Sequence, residues 1–356
     1  MNSWKNNVRK VVPYTPGEQP KLDNIIKLNT NENPYPPAKG VADVIKNFDP
    51  ENLRKYPDPT CTELVDALAR TYGVSNDRIF VGVGSDDVIA MSFMTYFCSD
   101  KPVLFPDVTY SFYEVWADML KVPYKKIQLT DSFEINPEDY IGVENGGIIF
   151  PNPNAPTGRE LPIENIEKII KANPDSVVIV DEAYVDFGAK SALALTEKYD
   201  NVLVVQTFSK SRSLAGLRIG YAIGSKELIS YLWDVRNSFN SYTLNMLSIK
   251  AGAAALEDDK YFRETLDKII ATRERSKGIF KELGFEVGDS KANFLFVKHK
   301  SIPAEKIFKA LYENRIFVRY FGAPRTRDYL RVTIGTDEEM DALFGFLKKA
   351  VHDMEN

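Results

Sequence analysis

Histidine and cysteine are nearly absent from this chain, with two of each in 356 residues. Cys61 and Cys98 cannot build a disulfide framework, so the cytoplasm is the default compartment. His299 and His352 are the only imidazoles, and His352 lies in a polar C-terminal tail. A Ser-His-Asp or Cys-His hydrolase would therefore depend on His299 alone. No H-E-x-x-H or C-x-x-C spacing occurs, and no metal site is predicted. Long apolar runs are also missing. None approaches the roughly 20 residues of a membrane helix, and Met1–Lys5 lacks the apolar core of a signal peptide. There is no basic excess: the net charge is −5, which argues against a nucleic-acid binder. Small molecules are the expected partners, not nucleic acid or membrane. An enzyme this poor in histidine must move protons with a retuned lysine, tyrosine or carboxylate.

The composition is that of an ordinary soluble protein, 44% hydrophobic and 27% charged, and the length suits two domains. Residues 1–37 are polar and rich in proline, and read as an arm associated with a smaller C-terminal domain and a dimer interface. From Ile79 to Ile223, short apolar runs (79–83, 102–105, 147–150, 177–180, 202–205, 219–223) alternate with helical periodicity (85–98, 110–121, 163–171). This alternation predicts an α/β unit, a mostly parallel sheet with helices on both faces, over 38–245. Residues 246–356 read as a smaller α+β unit, with strands at 285–287, 293–298, 316–320 and 329–334. Thr60 with Glu63, and Thr336 with Glu339, have the spacing of capping boxes, and Gly73 closes the first of these helices.

The chemistry is concentrated at strand ends. Val202–Val205 leads through Gln206-Thr207-Phe208-Ser209 to Lys210, with Arg218 eight residues further on. Val177–Val180 leads to Asp181. In open α/β sheets, ligands bind at the carboxyl ends of parallel strands. A lysine there can form an imine with an aldehyde cofactor, and an acid can hold a pyridinium. Taken singly, the lysine reads as an ordinary surface residue, and the aspartate reads as readily as a helix cap. Tyr184, three residues after Asp181, lies within reach of a phenolic oxygen or belongs to the core. Gly82-Val83-Gly84-Ser85-Asp86 opens a helix after a strand, as phosphate-binding turns do. Thr207, Ser209 and Arg218 add hydroxyls and a fork-shaped cation to the same anion. Tyr110 at the next strand end is placed to stack on a planar ring. Pro151–Gly158 is a rigid turn that holds Asn154. Five arginines (315, 319, 325, 327 and 331) crowd seventeen residues of an acidic protein. Arg325 and Arg327 read as solvated surface charge as readily as ligand contacts.

Together these motifs resemble the fold-type I pyridoxal phosphate enzymes of the aminotransferase superfamily, and within it the histidinol-phosphate branch. The resemblance also rests on Pro13-Tyr14, Leu28-Asn29-Thr30-Asn31-Glu32-Asn33-Pro34-Tyr35, Lys55-Tyr56-Pro57-Asp58-Pro59, Pro156-Thr157-Gly158 and Leu330-Arg331-Val332-Thr333-Ile334-Gly335. It implies pyridoxal 5'-phosphate as cofactor, carried on Lys210, which also shuttles protons. Asp181 pairs with the pyridinium, Tyr184 holds the phenolic oxygen and Tyr110 stacks on the ring. Gly84, Ser85, Asp86, Thr207, Ser209 and Arg218 surround the phosphate. Tyr56 reaches it from the second subunit of a homodimer with shared active sites. Tyr14, Asn33, Arg319 and Arg331 meet substrate, Arg331 at the carboxylate of glutamate and with Arg319 and Tyr14 at a substrate phosphate. The implied reaction is transamination between glutamate and imidazole acetol phosphate. The alternatives are an aromatic or broad-specificity aminotransferase, a phosphothreonine decarboxylase, or a regulatory protein that keeps the fold without turnover. Three positions, in two segments, depart from the pattern. Ala155 replaces the asparagine before Pro-Thr-Gly that donates to the phenolic oxygen, a role that then passes to Asn154. Val83 and Asp87 replace an asparagine and a glutamate in the phosphate loop.

Overall fold

Single-residue alternation explains why the central sheet is covered on both sides. Phe80, Phe105, Ile149, Ile179, Leu203, Val205 and Ala222 point into one core, with Val88, Ile89, Phe93 and Trp116. Their neighbours Leu104, Ile148, Phe150, Val178, Val180, Val202 and Val204 point into another, with Ile166, Ile169 and Ile170. Successive side chains of a strand face opposite ways, so only strands apolar at every position can be buried on both faces.

The computed structural model describes residues 3–355. Met1 and Asn2 of the expected arm, and Asn356 of the expected C-terminal unit, lie outside the described residues. In chain order the first elements are β1 (Ile26–Lys27), α1 (Lys39–Asn47), α2 (Thr62–Tyr72), β2 (Ile79–Gly82), α3 (Gly84–Tyr96), β3 (Val103–Pro106), α4 (Phe112–Leu120) and β4 (Tyr124–Ile127). Then come β5 (Gly147–Pro151), α5 (Ile163–Ala172), β6 (Val178–Asp181), β7 (Val202–Thr207), β8 (Gly220–Gly224), α6 (Lys226–Phe239) and α7 (Met246–Glu257). The remainder is α8 (Asp259–Glu282), β9 (Phe285–Val287), β10 (Phe294–His299), α9 (Ala304–Glu313), β11 (Ile316–Phe317), β12 (Arg319–Tyr320), β13 (Leu330–Thr333) and α10 (Asp337–Glu355).

The seven-stranded sheet runs β2-β8-β7-β6-β5-β3-β4, parallel except for β8, which is antiparallel to both its neighbours. The carboxyl ends of β6 and β7 therefore lie side by side, with Asp181 opposite Val205. The second sheet, β12-β13-β10-β9, is antiparallel. β1 pairs with β11 in parallel, so the end of the arm is tied to this second unit.

Four details depart from the sequence expectation. β4 has no apolar run: Tyr124-Lys125-Lys126-Ile127 is an edge strand with two exposed lysines, a common protection of an unpaired edge. The predicted strand at 316–320 splits, β11 pairing with the arm and β12 with β13. The boundary after residue 245 falls one helix early. The α7 side chains Ile249, Ala251, Ala253 and Leu256 share a core with Val41, Leu64, Leu68 and Val81, so α7 packs with the first unit and the second begins at α8. Finally, Thr60 does not cap α2. The Asp58 carboxylate accepts from the Thr60 and Thr62 amides instead. The box at Thr336 and Glu339 does form, each side chain accepting from the other residue's amide. Gly73 ends α2 at φ 68°.

Candidate active site

A cavity of about 960 Å³ opens over the carboxyl ends of the parallel strands. Asp181 at the tip of β6, and Lys210 in the loop after β7, both line it. Thr207, Ser209 and Arg218 face the same space, as do Tyr110, Tyr184, Ser85 and Asp86. Tyr14 from the arm, and Arg319 and Arg331 from β12 and β13, close it from the other unit. The Lys210 Nζ donates to Thr30 O at 3.1 Å and lies 5.7 Å from the centre of the Tyr184 ring.

Asp181 is buried, and burial pushes its carboxyl up to about 6. Tyr113 Oη donates to its Oδ2 at 2.7 Å and the Ala183 amide to its Oδ1 at 3.2 Å, which restrains that rise. An acid so placed gains by meeting a cation. Glu182 next door is on the opposite side of the strand end, where Ser191, the Ala192 amide and Gln206 hold it. Burial pushes Glu182 up to about 7.

Backbone shape makes the anion cradle. Gly84 has φ +84°, and a Cβ there would lie 2.5 Å from Arg218 Nη2. A Cβ on Gly220 would lie 2.3 Å from the Ser85 amide nitrogen. Glycine at both positions lets the start of α3 sit directly on β8 with the guanidinium beside it. Arg218 Nη1 donates to Ser209 Oγ at 3.3 Å and Nη2 to Asp86 Oδ2 at 3.1 Å. Tyr110 Oη also donates to Asp86, at 2.7 Å. Burial first, and then that carboxylate, hold the Tyr110 phenol well above its ordinary range, so it stays protonated. A helix N-terminus, two hydroxyls and an arginine fork suit a phosphate monoester. With Asp181 for a ring nitrogen and Lys210 for an aldehyde, this donor set fits pyridoxal phosphate.

Neither arginine of the far wall, Arg319 or Arg331, pairs with a carboxylate among the described residues. Arg331 Nη2 donates to Asn29 O at 2.8 Å, while its Nε is buried with no partner. Desolvation draws its guanidinium below the usual arginine range. The Arg319 guanidinium sits 5.7 Å from the Phe321 ring and donates to Thr15 O. Tyr14 stacks on Phe112 at 4.2 Å.

Four expected site residues do not line the cavity. Gly84 shapes it from behind. Asn154 is buried, and both its amide hydrogens are spent, on Val108 O and Thr157 Oγ1. It locks the turn and cannot take over the role of the missing asparagine, since Ala155 is the residue that faces the cavity. Asn33 donates to the carbonyls of Lys210 and Ser211, both at 3.1 Å, and so holds the lysine loop instead of meeting substrate. Tyr56 is 79% exposed, its ring tilted against that of Tyr242 at 4.7 Å. Arg325 is no free surface charge. It donates to Asp107 Oδ2 at 2.7 Å and to the carbonyls of Leu129 and Thr130, clamping the two units together. His299 is buried, its Nδ1 accepting from the Ile302 amide, so it is spent on a turn.

Sequence reasoning assigned no role to Tyr113, Thr30 or Asn31. Tyr113 reads as a core aromatic on α4, and only the adjacency of α4 to the tip of β6 gives it a carboxylate. Asn31 stood within a family segment, but its partners are some 150 and 300 residues away.

Residues 23–347 match the family model described as aminotransferase class I and II. The chain belongs to that family. This aminotransferase is 50% identical over 353 residues to the histidinol-phosphate aminotransferase of Lactococcus lactis subsp. cremoris, covering 99% of each chain. It is 54% identical over 336 residues to histidinol-phosphate aminotransferase 1 of Hydrogenovibrio crunogenus, covering 94% of each. Among solved structures, the Sinorhizobium meliloti histidinol-phosphate aminotransferase in complex with pyridoxal-5'-phosphate matches with a TM-score of 0.85 at 26% identity. That match covers 93% of this chain and 92% of the other. Thermotoga maritima aspartate aminotransferase, at 20% identity and a TM-score of 0.80, shares the fold. No helix among the described residues is long and apolar enough to cross a membrane.

Proposed function

We propose that this chain is a pyridoxal phosphate-dependent aminotransferase that moves an amino group between glutamate and imidazole acetol phosphate, giving 2-oxoglutarate and histidinol phosphate, reversibly, as a step of histidine biosynthesis. The observation that carries it is the meeting in one cavity of an amine, Lys210, a buried acid, Asp181, and a guanidinium without a carboxylate, Arg331. The relatives' names support this substrate over the aromatic, decarboxylating and non-enzymatic alternatives.

When bound, the cofactor supplies an electron sink for the charge left as a proton departs from substrate Cα. Lys210 Nζ would hold the cofactor at its aldehyde carbon, and its free amine would move the proton between substrate Cα and C4′. Asp181 keeps the ring nitrogen protonated; a carboxyl at about 6 is ionised at neutral pH and ready for that cation. Tyr184 would donate to the phenolic oxygen and Tyr110 would hold the ring by stacking. Ser85, Thr207, Ser209 and Arg218 bind the phosphate, and Asp86 orients Arg218 and Tyr110. Arg331 takes the glutamate carboxylate, and with Arg319 and Tyr14 a substrate phosphate.

The functional unit is a homodimer, with Tyr56 reaching the phosphate of the second copy. Leu53, Tyr56, Phe239 and Tyr242 are exposed, and Arg236 ties the two loops together through Pro59 O and Ser241 O. The cytoplasm suits the free Cys61 and Cys98.

The test is a donor and acceptor panel with added cofactor. Histidinol phosphate with 2-oxoglutarate should exceed phenylalanine with 2-oxoglutarate at least tenfold in kcat/KM, roughly the discrimination of one charged contact, without carbon dioxide release. Equal rates, or decarboxylation, would refute the assignment.

A further inference from the structure

Asn31 is buried in the left-handed region at φ 56°, and every polar group it has is committed. Its amide N–H donates to Thr333 Oγ1 at 3.0 Å, and its carbonyl accepts from Asn293 Nδ2 at 3.0 Å. The Thr333 hydroxyl, already accepting from that N–H, gives its proton to Asn31 Oδ1 at 2.9 Å. This fixes which way the side-chain amide faces: oxygen to Thr333, nitrogen to Tyr184, where Nδ2 donates to the hydroxyl at 2.9 Å.

A hydroxyl that accepts from Asn31 must send its own proton elsewhere. Besides Asn31, Tyr184 packs against Phe294, edge to face at 5.1 Å, and the apolar cluster that Phe294 forms with Ala155 and Ala292. None of these accepts a proton. The open direction is the cavity that Tyr184, Asn31 and Ala155 line together. At Ala155 that cavity offers no second donor.

We propose that Asn31 is a positioning residue for the cofactor: by donating to the Tyr184 hydroxyl, it turns that hydroxyl's proton onto the phenolic oxygen of pyridoxal phosphate, where Ala155 supplies no donor. The inference rests on the placement of Tyr184 at that oxygen. It ties the strand of the substrate arginine to the cofactor, since Thr333 lies two residues from Arg331 on β13. It also gives the 30–33 segment one purpose, as Thr30 O receives Lys210 Nζ and Asn33 holds the lysine backbone.

The holoenzyme tests it by absorbance. Donation to the phenolic oxygen stabilises the charge exposed there when the neighbouring imine proton leaves, so losing that donation raises the pH midpoint of the visible band. Asn31→Gly removes the side chain and keeps a residue at ease with the positive φ. Thr333→Val frees the amide to turn and is the second variant, should the first fold poorly. Each should raise the midpoint, by about half to one pH unit for Asn31→Gly, roughly three- to tenfold in the proton equilibrium. Tyr184→Phe should raise it at least as far, and Asn31→Gly added to Tyr184→Phe should add nothing. A shift in Tyr184→Phe with none in either other variant overturns this inference alone, and so do additive shifts in the double variant. An unmoved midpoint in Tyr184→Phe overturns the placement of Tyr184, and this inference with it.

Discussion

Tyr113 Oη donates a 2.7 Å hydrogen bond to Asp181 Oδ2, joining the first turn of α4 to the tip of β6 beneath the cavity. The carboxyl is buried, so losing the bond leaves the ionised form poorly solvated. Tyr113→Phe should push Asp181 further above the usual carboxylate range. The loss of one bond to a charged group is worth about 1.5–3 kcal/mol. We expect kcat to fall about tenfold or more with KM little changed, and the acid limb of the pH profile to move to higher pH. Steady-state kinetics from pH 5 to 9 check this, and an unmoved acid limb would show that the bond does not tune the acid.

The same burial sets a pH dependence of the cofactor-free protein. Asp181 is raised from 3.8 to about 6 and Glu182 from 4.5 to about 7, both by desolvation. The folded chain therefore binds more protons than the unfolded one between these limits. Their contribution to stability is greatest below about pH 4 and is lost as the pH rises through 6 and 7. Asp181→Asn removes one share, of order 3 kcal/mol at full ionisation. The melting temperature of cofactor-free Asp181→Asn should gain on the parent as the pH rises from 4.5 to 8. A constant difference would contradict this.

Gly84→Ala places a methyl 2.5 Å from Arg218 Nη2 at a φ of +84°. Strain of about 1–3 kcal/mol, borne by the phosphate cradle, should weaken cofactor binding about tenfold or more. Spectroscopic titration with pyridoxal phosphate measures it. Undiminished affinity would mean that the guanidinium is not needed at that place.

Arg319 and Arg331 should separate by substrate. Arg331→Lys keeps the charge and loses the fork, and should raise KM for glutamate roughly tenfold or more. Arg319→Gln should raise KM for histidinol phosphate while leaving glutamate nearly unchanged. Parallel rises for both substrates in Arg319→Gln would remove the assignment of that residue to the phosphate.

Arg325→Gln should cost about 1–3 kcal/mol of stability, because Asp107 and two carbonyls lose a charged donor at a half-buried junction. Chemical denaturation measures it, and the double variant with Asp107→Asn should cost less than the sum of the two single variants.

The alternation of apolar runs and helical periods was enough to place the two-sided sheet, because a strand buried on both faces must be apolar throughout. Lys210, Asp181 and the Gly84 turn were legible for a related reason: Asp181 and the Gly84 turn follow such runs directly and Lys210 follows one across a short loop, and strand ends are where a parallel sheet presents ligand groups. What the sequence could not carry were relationships between distant segments. Tyr113 looks like any core aromatic until α4 is set against β6. Asn154 and Ala155 are neighbours in the chain, and only the fold turns one into the wall and the other into the cavity. Arg325 has the composition of a surface charge until Asp107 meets it from the other unit. Local propensity and periodicity are written residue by residue, whereas the partner of a buried donor is chosen by packing, and packing exists only once the chain has closed on itself.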